Sequence, residues 1–149
     1  MADHRAEQIM KAFVALLNPL PTTSDNIMRD RPYDIESGVS TALSVYEGID
    51  DPLDDDDQVW PFHDSWLTIY VDIHAAIPSD TPISETLNLI RKEITIALMP
   101  QNALGLGFVH DLRQGVADDP EEGVGDKPIA KQRTEWKVKY RCSRTDPSA

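Results

Sequence analysis

The chain has 149 residues, with 26 acidic side chains, 14 basic side chains and a single cysteine. This length suits one domain with a full core. The formal net charge of −12 argues against a protein that coats DNA, because such affinity comes largely from neutralising phosphates. The lone Cys142 excludes an intramolecular disulfide and a cysteine-based zinc cluster.

No uninterrupted apolar run exceeds six residues, whereas a membrane helix needs roughly 20. The first residues also lack the basic and apolar pattern of a secretory signal. We therefore expect a soluble intracellular protein with no membrane partner. Its single domain is predicted over residues 1–144, followed by a loose tail over residues 145–149.

The negative charge is concentrated in two segments. Residues 47–64 contain eight acidic side chains and residues 116–126 contain five, and neither segment contains Lys or Arg. Half of the basic residues lie between positions 127 and 144. Such runs serve solubility in many proteins, but separate segments of opposite charge also favour electrostatic pairing between copies of one chain.

Two segments have the apolar spacing of amphipathic helices. The first is predicted over residues 3–17, with Asp3 as its N-cap. The second is predicted to follow Thr81 as its N-cap. Its apolar stripe consists of Ile83, Leu87, Ile90, Ile94 and Leu98. Leu89 and Ile96 lie off that stripe and would widen it.

Alternation of polar and apolar side chains is typical of strands that are buried on one face. It predicts strands over residues 26–35, 39–47, 65–76, 107–115 and 129–142. The Asp-rich residues 48–58 are expected to form an exposed loop, because so many carboxylates could not be buried together. One face of the third strand is wholly apolar. The other face, which suits either solvent or a subunit contact, carries Trp66, Thr68, Tyr70, Asp72 and His74.

Short connections between strands favour antiparallel pairing, and two helices with one apolar stripe each can cover one face of a sheet. The sequence therefore predicts an α+β fold, with a mostly antiparallel sheet of four to five strands and two helices packed on one face.

No motif indicates catalysis, and we expect neither an enzyme nor a bound cofactor. The chain has no Gly-x-Ser-x-Gly elbow and no P-loop, and Cys142 falls on the apolar face of its predicted strand. The run from Asp54 to Asp57 offers the oxygen ligands that calcium prefers. It lacks the glycine and the twelfth-position glutamate of an EF-hand loop, so no metal site is predicted.

Several segments of the chain, taken in order, carry a family resemblance. They are the first helix ending in Leu20-Pro21, the segment Met28-Arg29-Asp30-Arg31-Pro32-Tyr33, the strand ending in Leu43-Ser44-Val45-Tyr46, Trp60-Pro61 leading into Trp66-Leu67-Thr68-Ile69-Tyr70, the helix over residues 83–98, and Gly125-Asp126 followed by Thr134-Glu135-Trp136-Lys137-Val138-Lys139-Tyr140. Over residues 6–142 this order resembles the tail terminator proteins of long-tailed bacteriophages, the lambda-like and related head–tail completion families.

The resemblance implies a structural virion protein that is assembled in the host cytoplasm and located at the tail end, in the neck. Such a protein forms a ring, typically a hexamer, which caps the tail tube, stops its polymerisation and offers the head-joining surface. The implied partners are copies of the chain itself, the tail tube protein and a head-completion or connector protein. DNA would pass through the lumen without specific binding, and the family implies no reaction.

A closed ring needs a head-to-tail interface, in which one patch on each subunit meets a different patch on the next. We expect an acidic segment of one copy to approach the basic final strand of its neighbour, or the acidic segments to line the lumen. The acidic candidates are Asp54, Asp55, Asp56, Asp57, Asp118, Asp119, Glu121 and Glu122. The basic candidates are Arg133, Lys137, Lys139 and Arg141. Trp60 and Phe62 are candidates both for interface anchors and for core packing.

Other interpretations of the sequence stay open. Another neck component, such as a head-closure or tail-completion protein, has the same features. A monomeric calcium-binding or ligand-binding module would work alone, and an enzyme would have a concave pocket with perturbed carboxylates.

Overall fold

The computed structural model describes residues 2–31, 41–53, 60–77, 80–101, 103–122 and 129–149. These residues form two α-helices and six strands. In chain order the elements are α1 (Arg5–Leu16), β1 (Ile27–Arg29), β2 (Thr41–Pro52), β3 (Phe62–Ala76), α2 (Ile83–Leu98), β4 (Val109–Ala117), β5 (Glu121–Glu122) and β6 (Ile129–Ser143). A short 3-10 turn, Met99–Gln101, follows α2.

The strands form one sheet in the order β1-β2-β3-β6-β4, and β5 pairs with β6 beyond the end of β4. Strand β1 runs parallel to β2, and every other pair of described strands is antiparallel. The predicted α+β fold with a mostly antiparallel sheet is thereby confirmed. The sixth strand is the two-residue β5, which lies inside the second acidic segment.

Both helices bury their apolar stripes against the same face of the sheet. Helix α1 contributes Ala6, Ile9, Met10 and Phe13, and α2 contributes Leu87, Ile90, Ile94 and Leu98. The alternate residues of β3 from Leu67 to Ala75 are fully buried beneath them. The rings of Phe13 and Trp136 meet edge to face with their centroids 6.4 Å apart, a geometry that aromatic pairs favour.

The helix ends and the outer side of α2 differ from the prediction. His4 is the N-cap of α1, and its Nδ1 accepts a hydrogen bond from Ala6 N at 3.0 Å, because Asp3 instead pairs with Lys11 at 2.6 Å. Helix α2 begins one residue later than expected, with Pro82 as N-cap and no side-chain cap. Leu89 and Ile96 do not widen the buried stripe but are exposed. None of the helices in the described part of the chain is long and apolar enough to cross a bilayer.

The first acidic segment begins as a strand, and the prediction of a loop from residue 48 was wrong. Strand β2 continues to Pro52 and pairs Asp50 with Leu67 and Asp51 with Trp66, with a register shift after Glu47. Pairing uses only the backbone, so aspartates can form the ladder, and the Asp50 carboxylate accepts a hydrogen bond from the Tyr140 hydroxyl at 2.5 Å.

The carboxyl-terminal residues 145–149, for which the sequence predicts a loose tail, form hydrogen bonds with the domain. Arg5 N donates to Pro147 O at 2.8 Å, and Ser143 N donates to Ala149 O at 2.6 Å. The Ser143 hydroxyl also accepts from the backbone N–H groups of Thr145 and Asp146. These bonds give hydrogen-bond partners to backbone groups at the start of α1 and at the end of β6, so the tail links the two elements.

Candidate protein-interaction surface

The face of the sheet turned away from both helices, here called the outer face, carries polar and aromatic side chains. It is formed by Tyr46 of β2, by Trp66, Thr68 and Tyr70 of β3, and by Arg133, Lys137 and Lys139 of β6. These positions alternate with the buried core residues of the same strands, as the pleat of a sheet requires. The β3 side chains of the set are half-buried, although no described helix lies over them.

Cations lie over each aromatic ring of the outer face. The guanidinium of Arg133 lies 4.7 Å from the centroid of Tyr70 and 5.6 Å from that of Tyr46. The guanidinium of Arg113 lies 5.0 Å and Nζ of Lys139 lies 5.9 Å from the Trp66 ring. Such cation–π contacts hold long basic side chains flat on the rings. The outer face therefore combines aromatic rings with basic side chains that lie flat on them.

A groove of about 460 Å³ crosses this face at the bulge of β2. Trp66 and Tyr70 line it on one side and Ile49 on another, and the Ile49 side chain is 71% exposed. The groove also has two charged residues of each sign, Asp51, Glu135, Arg113 and Lys137. Exposed apolar area rimmed by polar groups is typical of a protein-interaction site.

Two of the basic residues predicted for a subunit contact are paired within the chain. Arg133 Nε and Nη2 donate to the two carboxylate oxygens of Asp72 at 2.8 and 3.1 Å. Arg141 Nε donates to Asp64 Oδ1 at 2.9 Å. The bond to Asp72 raises the pKa of Arg133, and the bond to Asp64 raises that of Arg141. Lys137 Nζ lies 3.6 Å from a carboxylate oxygen of Glu135. Among the described residues, Lys139 is therefore the one predicted basic residue without an acidic partner within 4 Å.

Asp72 and His74 are not the solvent-facing or subunit-facing residues that the sequence predicts. Asp72 is 1% exposed, and Lys131 Nζ also lies 3.7 Å from its Oδ2. His74 is buried, and its Nε2 lies 3.3 Å from the hydroxyl of the fully buried Ser44. Antiparallel pairing of β2, β3 and β6 brings these polar side chains together, and their mutual contacts compensate for their burial.

Burial lowers the pKa of His74, the charge of Lys131 lowers it further, and Asp72 partly opposes both. The lowered pKa favours the neutral imidazole in the fold, so protons bind more readily to the unfolded chain. We expect this residue's contribution to stability to be complete above about pH 6.5, the ordinary histidine value, and to be lost as the pH falls below it. Urea unfolding of the wild type and of His74→Gln between pH 5 and pH 8 measures the difference. A difference that does not change with pH would contradict the prediction.

The described part of the second acidic segment, residues 116–122, lies against the start of β6 in the same chain. Asp118 N donates to Arg133 O at 2.9 Å, and Gln132 Nε2 donates to Asp118 O at 2.9 Å. Glu121 pairs with Lys131 and Glu122 with Ala130 in the β5–β6 ladder. Asp118, Asp119 and Glu121 thus face Lys131 and Arg133 across a small cleft of about 230 Å³. The acidic residues Asp118, Asp119, Glu121 and Glu122 are exposed, so water solvates their carboxylates.

Trp60 and Phe62 lie at the surface, at the beginning of β3. Trp60 is 68% exposed and Phe62 is 39% exposed. Arg144 holds this corner, because its backbone N donates to Pro61 O at 2.7 Å and its guanidinium lies 5.6 Å from the Trp60 ring. Core packing is therefore not the role of Trp60. The predicted site residues Asp54, Asp55, Asp56 and Asp57 lie outside the described residues.

The buried thiol of Cys142 agrees with the predicted structural role. Burial raises its pKa, and its Sγ lies 3.6 Å from Nε2 of His63. A thiol that is 2% exposed is inaccessible to a substrate. The described residues contain no group of three or more His, Cys, Asp or Glu side chains able to hold a metal ion.

Sequence reasoning missed the Asp72–Arg133 pair and the cation–aromatic contacts. The alternation in β3 and β6 placed each residue on the correct face, but only the register of the two strands shows that position 72 lies opposite position 133. The sequence matches no protein-family model, and no curated protein matches it.

Proposed function

We propose that this chain is a ring-forming tail terminator of a long-tailed bacteriophage. In this role it caps the tail tube, stops its polymerisation and provides the surface that joins the head. The observation that carries the proposal is the composition of the outer face. There, cations lie over aromatic rings on the side of the sheet opposite the helices. The element order that the sequence shares with the terminator families supports the same role.

The outer face has the composition of a binding surface. Tyr, Trp and Arg are the residues that most often dominate the binding energy of protein interfaces, and all three types occur here. Exposed ion pairs contribute only about 0–1 kcal/mol each. In the proposed ring, Trp66 and Tyr70 supply the binding affinity. The charges of Lys137 and Lys139 set the relative orientation of neighbouring subunits, or that of the ring on the tube.

The first test is the mass of the purified chain. We expect native mass spectrometry and negative-stain imaging to give a closed ring, and we expect Trp66→Ala to raise the concentration for half assembly at least tenfold, which corresponds to about 1.4 kcal/mol. Lys11→Ala, on the exposed side of α1, is the matched control and leaves assembly unchanged. A monomer under all conditions, with or without tail tubes, would contradict the proposal.

The second test separates a terminator from another neck component, which has the same outer face. In the phage that encodes the chain, loss of a terminator gives overlong tails, whereas loss of a head-closure protein gives tails of normal length that lack heads. Normal particles bearing heads would exclude both roles. A monomer whose melting temperature rises on calcium addition would instead favour the binding-module alternative.

A further inference from the structure

Strand β2 has a bulge, here called the Ile49 bulge (residues 47–51), that presents one apolar side chain at the surface. The register between β2 and β3 shifts between Glu47 and Asp50, so Gly48 and Ile49 together stand opposite Thr68. A bulge of this kind re-aims a side chain. Ile49 is the most exposed large apolar residue in the described part of the chain.

The backbone of this bulge packs closely against the adjacent strand. A Cβ atom at Gly48 would lie 2.8 Å from Cε2 of the Tyr70 ring and 3.0 Å from the carbonyl oxygen of Thr68. A side chain at this position would therefore force β2 and β3 apart. Because the bulge is held by this contact before any partner binds, Ile49 is ordered in advance, which lowers the entropy cost of binding.

Carboxylates surround Ile49 along the chain. Glu47, Asp50 and Asp51 lie within two positions of it, and all three are exposed. Among the described residues, none of the three lies within 4 Å of a basic nitrogen. The bulge therefore combines an apolar side chain with carboxylates that have no ion-pair partner in the described part of the chain.

The cations of the neighbouring groove do not cancel this negative charge. Arg113 and Lys137 line the groove together with Ile49. Arg113 Nε lies 2.7 Å from Oδ2 of Asp111, and Lys137 Nζ lies 3.6 Å from Oε1 of Glu135. Each cation thus has its own carboxylate, and the Ile49 bulge keeps an excess of negative charge.

A recess between α2 and β4, here called the α2–β4 cleft, has a volume of about 200 Å³. It opens where the register between β4 and β6 shifts, between Gln114 and Ala117. The buried residues Ile94 and Trp136 form its floor. Gln114 Nε2 donates to Thr95 Oγ1 at 2.9 Å and joins the two walls. No residue of the Ile49 bulge lines this cleft.

The charge of the α2–β4 cleft is opposite to that of the bulge. Arg91 and Lys92 line the cleft, and among the described residues neither has a carboxylate oxygen within 4 Å. Glu135, the acidic residue of the lining, is the partner of Lys137. The acidic residues that follow β4 line the separate cleft of about 230 Å³. The α2–β4 cleft therefore has an excess of positive charge.

Large apolar side chains are exposed beside residues that line the α2–β4 cleft. Leu89 follows the lining residue Asn88 along α2, and Ile96 follows the lining residue Thr95. Val116 of β4 is exposed as well. Exposed apolar area around a recess is typical of a surface that a partner covers.

We propose that the Ile49 bulge of one copy inserts into the α2–β4 cleft of the next. An occupant of this cleft needs an apolar side chain among carboxylates, and the Ile49 bulge has that composition. The contact rests on the proposed ring function and specifies which surface of the neighbour the outer face meets. Because bulge and cleft are different surfaces, each copy gives its bulge to one neighbour and receives that of another. Such a head-to-tail contact forms a ring when its rotation closes.

Cross-linking between single-cysteine variants tests the direction of the contact. Ile49→Cys chains are mixed with Asn88→Cys chains before assembly and treated with a short bismaleimide, while the buried Cys142 stays unreactive. We expect cross-linked dimers in the mixture and none with either variant alone. The control mixture of Ile49→Cys with Lys11→Cys gives none. No dimers in the test mixture, or dimers from Ile49→Cys alone, would overturn the contact.

Assembly of exposed-residue variants gives an independent measurement. We expect Ile49→Ala and the double variant Arg91→Glu/Lys92→Glu each to raise the concentration for half assembly at least tenfold. The matched double variant Lys11→Glu/Arg31→Glu makes the same charge change at exposed positions and leaves assembly unchanged.

A charge exchange separates this contact from a general loss of assembly. Asp51→Lys alone weakens assembly, but added to Arg91→Glu/Lys92→Glu it improves assembly, because opposite charges meet again. A further loss in the triple variant, or normal rings from Ile49→Ala and Arg91→Glu/Lys92→Glu, would overturn the contact and leave the ring proposal standing. Absence of any wild-type oligomer, with or without tail tubes, would overturn both.

Discussion

Replacing Phe13 with alanine is expected to lower the free energy of unfolding by about 4 kcal/mol. The side chain is fully buried between α1 and the sheet and meets Trp136 edge to face. Truncation removes apolar area from the core and leaves a cavity that the rigid strand beneath it fills poorly. Equilibrium unfolding in urea, followed by tryptophan fluorescence and by circular dichroism, measures the change.

Lys11→Ala is the matched control on the same helix. Lys11 and its ion-pair partner Asp3 are about half exposed, with side-chain exposures of 60% and 46%, so we expect the loss of this pair to change the free energy of unfolding little. A loss below about 1 kcal/mol for Phe13→Ala would contradict the prediction, because it would mean that α1 does not contribute to the core.

Replacing Arg133 with alanine is expected to lower the free energy of unfolding by about 3 kcal/mol. The variant leaves the carboxylate of Asp72 buried at 1% exposure without its bidentate partner. We expect the lower end of the range for a broken buried pair, because Lys131 remains 3.7 Å from the same carboxylate. The contacts of the guanidinium with Tyr46 and Tyr70 are lost as well.

The double variant Asp72→Asn/Arg133→Ala separates the buried charge from the other contacts. Asparagine keeps the shape of the side chain but carries no charge, so we expect the double variant to be more stable than Arg133→Ala alone. Urea unfolding of both variants measures the difference. A double variant less stable than the single one would contradict the prediction, because it would show that Lys131 alone compensates for the buried charge of Asp72.

The sequence by itself determined the two helices, the long strands β3 and β6 and the fold class. The apolar stripe of α2 and the alternation in β3 and β6 are local patterns. The stripe has the period of a helix, and the alternation has the period of a strand. They therefore predicted which side chains are buried, from Leu87 on the helix to Cys142 on the last strand. The functional interpretation as a tail terminator stays a prediction, because it depends on surfaces that meet other molecules.

Only the tertiary structure decided which polar groups meet. Arg133 and Asp72 are 61 positions apart in the chain, and Arg141 and Asp64 are 77 apart. The Tyr140 hydroxyl reaches Asp50 at 2.5 Å across 90 positions. The register of paired strands sets such contacts, and a shift of one residue would move every side chain to the opposite face.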